Sequence, residues 1–242
     1  MTEEQCRMDD FARDLSELGV VLSEKQYGQF CQYYNLLLEW NKVMNLTSIT
    51  NFDDVVKKHF VDSLTLVKAY NISEAVKGVD VGSGAGFPGL ALKIAFPGLE
   101  ITLLDSLGKR VRFLEAVIEQ LGLKGVRAIH GRAEDWAVKG KLRESFDLCV
   151  SRAVANLSTL SEYCIPFVKQ DGMFVSYKSE KISEELEAAG GAVELLGGRI
   201  VGRAEFMLPN SDIFRSLVMV QKVKPTPAKY PRKAGLPGKE PL

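Results

Sequence analysis

The chain is poor in the residues from which most metal, redox and hydrolytic sites are built. Only two histidines, His59 and His130, occur in 242 residues, which excludes a multi-histidine metal centre. The four cysteines (Cys6, Cys31, Cys149 and Cys164) stand far apart with no C-x-x-C pair. Zinc-ribbon and dithiol chemistry are excluded on that spacing, and the thiols read as reduced, cytosolic ones. No apolar run approaches the ~18 residues of a membrane span. The polar opening MTEEQCRMDDF lacks the character of a secretory signal, so a cytoplasmic protein with no membrane partner and no metal is expected. Net charge is missing as well, since 31 Lys and Arg balance 31 Asp and Glu. The balance is uneven along the chain. From Lys222 to Leu242 six basic residues (Lys222, Lys224, Lys229, Arg232, Lys233, Lys239) face one acid, Glu240, so the tail carries +5 and the body −5. That asymmetry points to a polyanion such as nucleic acid.

What is present in abundance is glycine, and it is concentrated. The stretch VDVGSGAGFPG, Val79 to Gly89, runs from short apolar residues into Gly82, Gly84, Gly86 and Gly89, then into the apolar Leu90, Ala91, Leu92, Ile94 and Ala95. Strand, glycine-rich turn and helix N-terminus bring backbone N–H groups within reach of a polar ligand. Gly84, Gly86 and Gly89 make a literal G-x-G-x-x-G, a weak signal by itself. Asp80 inside the strand and Pro88 at the helix start argue against a nicotinamide site. The pattern D-x-G-x-G-x-G resembles the first motif of Rossmann-like methyltransferases, whose ligand is S-adenosylmethionine.

Around this stretch the periodicities fall into three regions: a helical N-terminal region over residues 1–70, a strand–helix series over 71–223, and a basic arm over 224–242. Ser23 caps a helix with a stripe of Tyr27, Phe30, Cys31, Tyr34, Leu37 and Leu38, which reads as core. NKVMNLTSIT reads as a loop. Asn51 caps a second helix with Phe52, Val55, Val56, Phe60 and Val67 on one face. That helix carries Lys57, Lys58 and His59, read as a solvated basic face with a partly packed histidine in preference to an RNA-facing edge. Strands are expected at Val79–Val81, Leu99–Leu104, Val126–His130, Phe146–Val150 and Met173–Tyr177, with helices at Leu107–Leu121, Leu157–Phe167 and Ser183–Ala189. Two long strands, Val193–Phe206 and Ile213–Val223, follow without an intervening helix. They suggest an antiparallel hairpin at the edge of a mostly parallel sheet, the ending of a methyltransferase sheet and not of a nicotinamide one.

Ligands of open α/β sheets lie beyond the carboxyl ends of the strands. Gly82 to Phe87 follow the first strand. Asp105 ends the second, where it would accept two ribose hydroxyls or simply cap a helix. Ala133 and Glu134 follow the third, placed for an adenine edge, and Arg152 follows the fourth. A guanidinium is repelled by a sulfonium, so Arg152 reads as a partner of a carboxylate or phosphate, or of a body acid in a structural ion pair.

DVGSGAGFPG, LLDSLGKRVRFLE, RAEDW, SRAVANL, the terminal PAKYPRKAGLPGKEPL, and also WNKVMNLTSI and HFVDSL resemble the RsmG (GidB) family over nearly the whole chain. These bacterial enzymes methylate N7 of a guanosine in the 530 loop of 16S rRNA, guanosine 527 in standard rRNA numbering. The resemblance implies a Rossmann-like class I methyltransferase with S-adenosyl-L-methionine as cofactor and 16S rRNA, in the 30S subunit or an assembly intermediate, as partner; a monomer is expected. It maps cofactor contacts to Gly82, Phe87, Ala133, Glu134 and Arg152, with Asp105 added by the general motif. Val154 stands where many members carry an aromatic residue. Guanine N7 bears a lone pair and no proton, so no general base is needed, and no catalytic residue is identified. The tail is expected to be an extended arm lying along an RNA backbone, its removal sparing cofactor binding and impairing rRNA methylation; the alternative is an arm folded back on the acidic body, sealing an edge of the sheet. A non-catalytic ribosome-binding protein and a nicotinamide oxidoreductase are the other functions weighed.

Overall fold

A computed structural model of the chain describes residues 3–72, 76–152, 155–179 and 182–242, with side chains from residue 8 onward; Val154 and the side chain of Cys6 lie outside what is described. Seven strands form one sheet in the order β3-β2-β1-β4-β5-β7-β6: β1 (Lys77–Val81), β2 (Glu100–Asp105), β3 (Val126–His130), β4 (Phe146–Ser151), β5 (Val168–Lys178), β6 (Gly198–Met207) and β7 (Phe214–Lys222). β1 pairs in parallel with β2 on one side and β4 on the other. The order in which strands are added to the sheet therefore reverses between β1 and β4, which opens a crevice at their carboxyl ends. β7 runs antiparallel between β5 and β6, the expected hairpin.

The two faces of the sheet are covered differently. On one lie the N-terminal helices α1 (Glu3–Glu17) and α2 (Glu24–Met44), then α3 (Phe52–Val55), a π-helical stretch (Val56–Val61), α4 (Asp62–Leu64) and a 3₁₀ turn (Thr65–Lys68). They share a continuous apolar core with α5 (Gly89–Ala95), α6 (Gly108–Gln120) and the strand residues Ile101 and Leu103 of β2, Leu148 of β4 and Val175 of β5. Helix α2 starts in a full capping box between Ser23 and Gln26, which satisfies two orphan N-terminal donors at once. The Gln26 amide then donates to the carbonyls of Ile94 and Ala95 at 2.8 and 3.0 Å, and Gln29 to Leu121 at 3.0 Å. One helix start thus closes the ends of two others. The stripe of α2 is core as expected but turned: Phe30, Tyr33, Leu36 and Leu37 are the buried residues, while Tyr27, Cys31, Tyr34 and Leu38 are only half-buried. Tyr33 turns inward because Phe11, Phe30, Phe60 and Phe87 gather there, with ring centroids 5.3 Å (Phe87) and 5.5 Å (Phe60) from its own. Such pairs add roughly 0.5–1.5 kcal/mol each beyond area burial.

The other face carries α7 (Ala133–Trp136), α8 (Leu157–Cys164) and α9 (Ser183–Leu195), packed on Val79, Val81, Cys149, Phe174 and Val218. Helix α9 runs six residues past the expected Ala189, and β6 begins at Gly198, not Val193. The apolar Val193 reads equally as strand or helix; here it is buried within the helix.

The tail departs most from expectation. It is not an extended arm. Tyr230 is 6% exposed and belongs to the second core. The Arg143 guanidinium donates to the carbonyls of Thr226 and Tyr230, each at 2.6 Å. Arg232 meets the wholly buried carboxylate of Glu162 through Nη2 at 2.6 Å, Nε at 3.0 Å and its backbone N–H at 2.7 Å. A short helix, α10 (Leu236–Lys239), then packs on α8, where Thr159 donates to the carbonyl of Pro237 at 3.1 Å. The strap crosses the face of α8; it does not seal the β6 edge.

Deleting residues 225–242 strips Glu162 of all its described partners. Losing one member of a buried ion pair costs about 3–5 kcal/mol, which for a chain of this size is about 6–20 °C in melting temperature. Differential scanning calorimetry of the intact and shortened chains is expected to show a fall in that range; equal melting temperatures would mean the strap is not bound in solution.

Candidate functional site

The glycine stretch forms a loop whose backbone is fixed from three sides. At its start Gly82 and Ser83 donate to the carbonyl of Leu104 at 2.8 and 3.2 Å. In its middle the Gly84 N–H meets Asp105 Oδ2 at 2.8 Å. At its end the Gly89 N–H meets Asp80 Oδ2 at 2.9 Å. From above, the Tyr33 hydroxyl donates to the carbonyl of Ala85 in a short hydrogen bond. Gly82 and Gly86 have φ of +77° and +93°, a region closed to most L side chains. A Cβ on Gly86 would lie 2.4 Å from the Tyr33 oxygen, so the approach of helix α2 also demands glycine.

Asp80 supports this loop from beneath. It is fully buried, and its second oxygen, Oδ1, has no hydrogen-bond partner among the described residues. Burial raises its pKa to about 7, against the stabilising pull of the Gly89 amide. Asp105 is 2% exposed. Besides Gly84 it accepts from the Leu107 N–H at 2.9 Å, and Arg110 lies at 3.5 Å. Both of its oxygens therefore serve backbone, combining a helix-start turn with a tie to the loop.

Two cavities open at the carboxyl ends of the strands. A small one of about 210 Å³ is lined by Val81, Gly82, Leu104, Ser106, Gly131, Arg132, Ala133, Glu134, Leu160 and Tyr163. It unites the expected Gly82, Ala133 and Glu134, but Asp105 is not in its wall. Glu134 is 7% exposed and accepts from the Gly235 N–H of the strap at 2.7 Å. Phe87 is not in the wall either. Its ring is buried, 4.5 Å from the stacked ring of His59.

The second cavity, about 730 Å³, holds Arg152 together with Lys58, His59, Asp62, Asn156, Tyr177, Lys178, Glu185 and Arg215. Arg152 donates to Asp62 Oδ2 at 2.8 Å and to the carbonyl of Lys58 at 3.0 Å, with its guanidinium carbon 5.2 Å from the Phe87 ring centre. Arg215 takes the other Asp62 oxygen at 2.8 Å. The structural ion pair weighed for Arg152 is thus present, and its acid is Asp62. His59 is half-buried against Phe87, the partly packed histidine expected. Burial and then the Arg152 charge lower its pKa to about 4, so the ring is neutral near pH 7. Its Nδ1 lies 3.1 Å from the carbonyl of Lys58 and 3.3 Å from Arg152 Nη2, and its Nε2 lies 3.0 Å from Thr47 Oγ1. The π-helical stretch supplies this geometry, as such irregular turns often do at functional sites. Four cations face two acids in this cleft; Lys178 pairs with Glu185 at 2.7 Å, and Lys58 with Asp54 at 2.7 Å, which leaves a small excess of positive charge centred on the two arginines that share Asp62.

Asp62, Asn156, Tyr177, Lys178, Glu185 and Arg215 were not expected here. Asp62 sits in HFVDSL, a stretch marked only by resemblance, and Arg215 lies inside what reads as an ordinary edge strand. No local spacing links them, because their separations of 90 and 153 residues from their partners are set by the sheet order.

The sheet order and the clamped loop define a protein of the Rossmann-like methyltransferase class. The chain belongs to the GidB family, rRNA small subunit methyltransferase G, whose pattern it matches over residues 26–206. It is 51% identical over 232 residues, 96% of each chain, to the ribosomal RNA small subunit methyltransferase G of Lachnoclostridium phytofermentans. It is 50% identical to that of Desulforamulus reducens, over 93% of this chain and 94% of the other. Among solved structures it is similar to a methyltransferase from Pyrococcus furiosus (TM-score 0.56, 14% identity, covering 84% of this chain and 100% of that one). It is also similar to a SAM-dependent methyltransferase from Aquifex aeolicus (TM-score 0.52, 18% identity, 70% and 93% covered). No helix among the described residues is long and apolar enough to cross a membrane.

Asp80 makes stability depend on pH. Its folded pKa of about 7 lies above the unfolded value of 3.8. Between those values the folded state binds the extra proton, so this contribution is full below about pH 4 and is lost as pH rises through 7. Asp80→Asn removes the titration and keeps an acceptor for Gly89. In paired urea titrations, the stability of wild type relative to Asp80→Asn is expected to fall by about 4 kcal/mol from pH 4 to 8; a constant difference would place the Asp80 carboxyl in a wetter setting.

Proposed function

We propose that the chain transfers a methyl group from S-adenosylmethionine to N7 of a guanosine in the 530 loop of 16S rRNA, in the cytoplasm. The observation that carries this reading is a pair of unlike cavities at neighbouring strand ends in a chain of this family. Val81 and Gly82 at the end of β1 line a small recess, Arg152 just past β4 lines a cationic cleft, and the two strand ends are tied where the Ser151 hydroxyl donates to the carbonyl of Val81 at 2.8 Å.

The residues of the recess fit the cofactor. Glycines at positive φ expose backbone without side chains at Gly82 and Gly84, and Glu134 offers a carboxylate oxygen with no protein donor among the described residues. At about 210 Å³ the recess is below the roughly 300 Å³ of the smallest ligand pockets, so it takes the adenosine part. Ala133 and Glu134 would hold the adenine edge, Gly82 and the backbone of Phe87 the rest of the molecule. Asp105 acts through the loop that it ties down. Arg152, at the border of the cleft, would meet the cofactor carboxylate or an rRNA phosphate by exchanging part of its bond to Asp62. The cofactor supplies an already activated methyl group.

What the protein adds is placement. Guanine N7 attacks through a free lone pair and has no proton to lose, so the neutral, packed His59 is not asked to act as a base. Holding nucleophile and donor in line is worth up to ~7–11 kcal/mol of barrier in favourable cases. Lys58, Arg152, Lys178 and Arg215 give the cleft the charge to attract a phosphate backbone.

Incubation with labelled S-adenosylmethionine and 16S rRNA or 30S subunits is expected to give one labelled guanosine, located by cleavage at N7-methylated sites. Gly82→Val is expected to abolish both labelling and cofactor binding with the fold retained, because a side chain there would occupy the space where the backbone meets the ligand. Label on another base, or none with active wild-type protein, would refute the reading.

A further inference from the structure

We propose that the C-terminal strap is a working part of the cofactor site, fixing Glu134 so that one carboxylate oxygen faces the recess. This rests on the reading of the small cavity as the adenosine site.

Helix α7, which carries Glu134, has only four residues and cannot hold a long side chain in one rotamer by its own packing. The strap does so from behind. Gly235 adopts φ of +83°, which turns its N–H toward Glu134 Oε1 at 2.7 Å. That bond fixes one oxygen and leaves the other, without a protein donor among the described residues, for the exocyclic amine of an adenine. The strap also backs two more lining residues. A Cβ on Gly235 would stand 3.7 Å from Arg132 Nη1, and one on Gly238 would stand 3.4 Å from the Tyr163 hydroxyl.

The anchor lies three residues upstream of Gly235. Arg232 grips Glu162 in the last turn of α8 with its guanidinium and its backbone N–H, and donates again to the carbonyl of Glu240 at 2.7 Å. Arg232 does not line the recess. It acts on the ligand through Gly235 and Glu134, as a positioning residue.

The test measures affinity for S-adenosylmethionine by calorimetry on the full chain carrying Arg232→Ala, Arg232→Lys, Glu134→Gln, Arg232→Ala with Glu134→Gln, and Gly82→Val. Trypsin cleavage after the exposed Lys233 reports release of the strap. Arg232→Ala is expected to speed that cleavage and raise Kd about tenfold, the order of one lost charge-assisted hydrogen bond. Arg232→Lys, which keeps one donor to Glu162, should recover much of the affinity. In the Glu134→Gln background the Arg232→Ala effect should nearly vanish, which general loosening of the fold would not produce. If Arg232→Ala does not fold, the Arg232→Lys variant carries the same cycle at smaller amplitude. Faster cleavage with unchanged Kd, while Gly82→Val abolishes binding, overturns the role of the strap and leaves the cavity reading intact. Full additivity of the two substitutions overturns it likewise. Normal binding by Gly82→Val overturns the cavity reading, and the strap proposal with it.

Discussion

The structure depends on holding a glycine-rich backbone open without letting it move. A loop with no side chains has more conformational freedom to lose than any other, and a ligand site made of such a loop is useful only if that freedom has been removed beforehand. Here it is removed by acceptors and donors from outside the loop: Asp80 on the Gly89 amide, Asp105 on the Gly84 amide, Tyr33 on the Ala85 carbonyl. Two of the three are carboxylates almost without solvent contact. Burying them is unfavourable, and the raised pKa of Asp80 is the direct sign of it. The return is a cradle whose amides keep their positions whether or not anything lies in it.

The third clamp explains why helices that are separate in sequence belong to the site. Tyr33 comes from α2, and it reaches the loop only because Phe60 and Phe87 stack against it. The same Phe87 ring carries His59 on one side and the Arg152 guanidinium nearby. Asp62, one turn after His59, then draws Arg152 and Arg215 together. Without Asp62 two guanidiniums would repel each other at the rim; with it they form one cationic unit at the wall of the cleft. Packing of the N-terminal helices and electrostatics of the cleft are thus one arrangement, and a change at Phe60 or Phe87 would be felt at Arg152.

How much of this could be read from the chain depended on the distance over which each feature is determined. The glycine loop, the caps at Ser23 and Asn51 and the strand–helix alternation are local, and residues within a few positions decide them. The turn of α2 that buries Tyr33 in place of Tyr34 is not local, because both fit a helix of that period and only the position of Phe60 and Phe87 selects one. Asp105 was legible as an acid at a strand end. Whether it faces a sugar or the backbone of Gly84 depends on how β1 and β2 stagger. The large cleft was hidden almost entirely, since it collects residues from the π-helical stretch, α4, the segment after β4, β5, α9 and β7.

The tail shows the limit of composition as a guide. Proline, glycine and lysine in such density describe a segment that makes no helix or sheet of its own, and that much is correct for most of it. Absence of regular structure is a different property from absence of packing. A proline-rich segment has little backbone entropy left to lose, so a few strong anchors suffice to hold it. Tyr230 buries its ring, Arg232 satisfies a carboxylate, and the carbonyls of Thr226 and Tyr230 satisfy Arg143. The +5 of the tail is likewise not all available to a polyanion. Lys222 is 1% exposed, with burial lowering its pKa to about 8 and Glu144 beside it, and Arg232 is matched within the molecule. Lys224, Lys229, Lys233 and Lys239 alone face solvent. Part of the charge split between tail and body is therefore the attraction that keeps them together, and the remaining lysines form the outer surface of a strap whose inner surface touches Glu134.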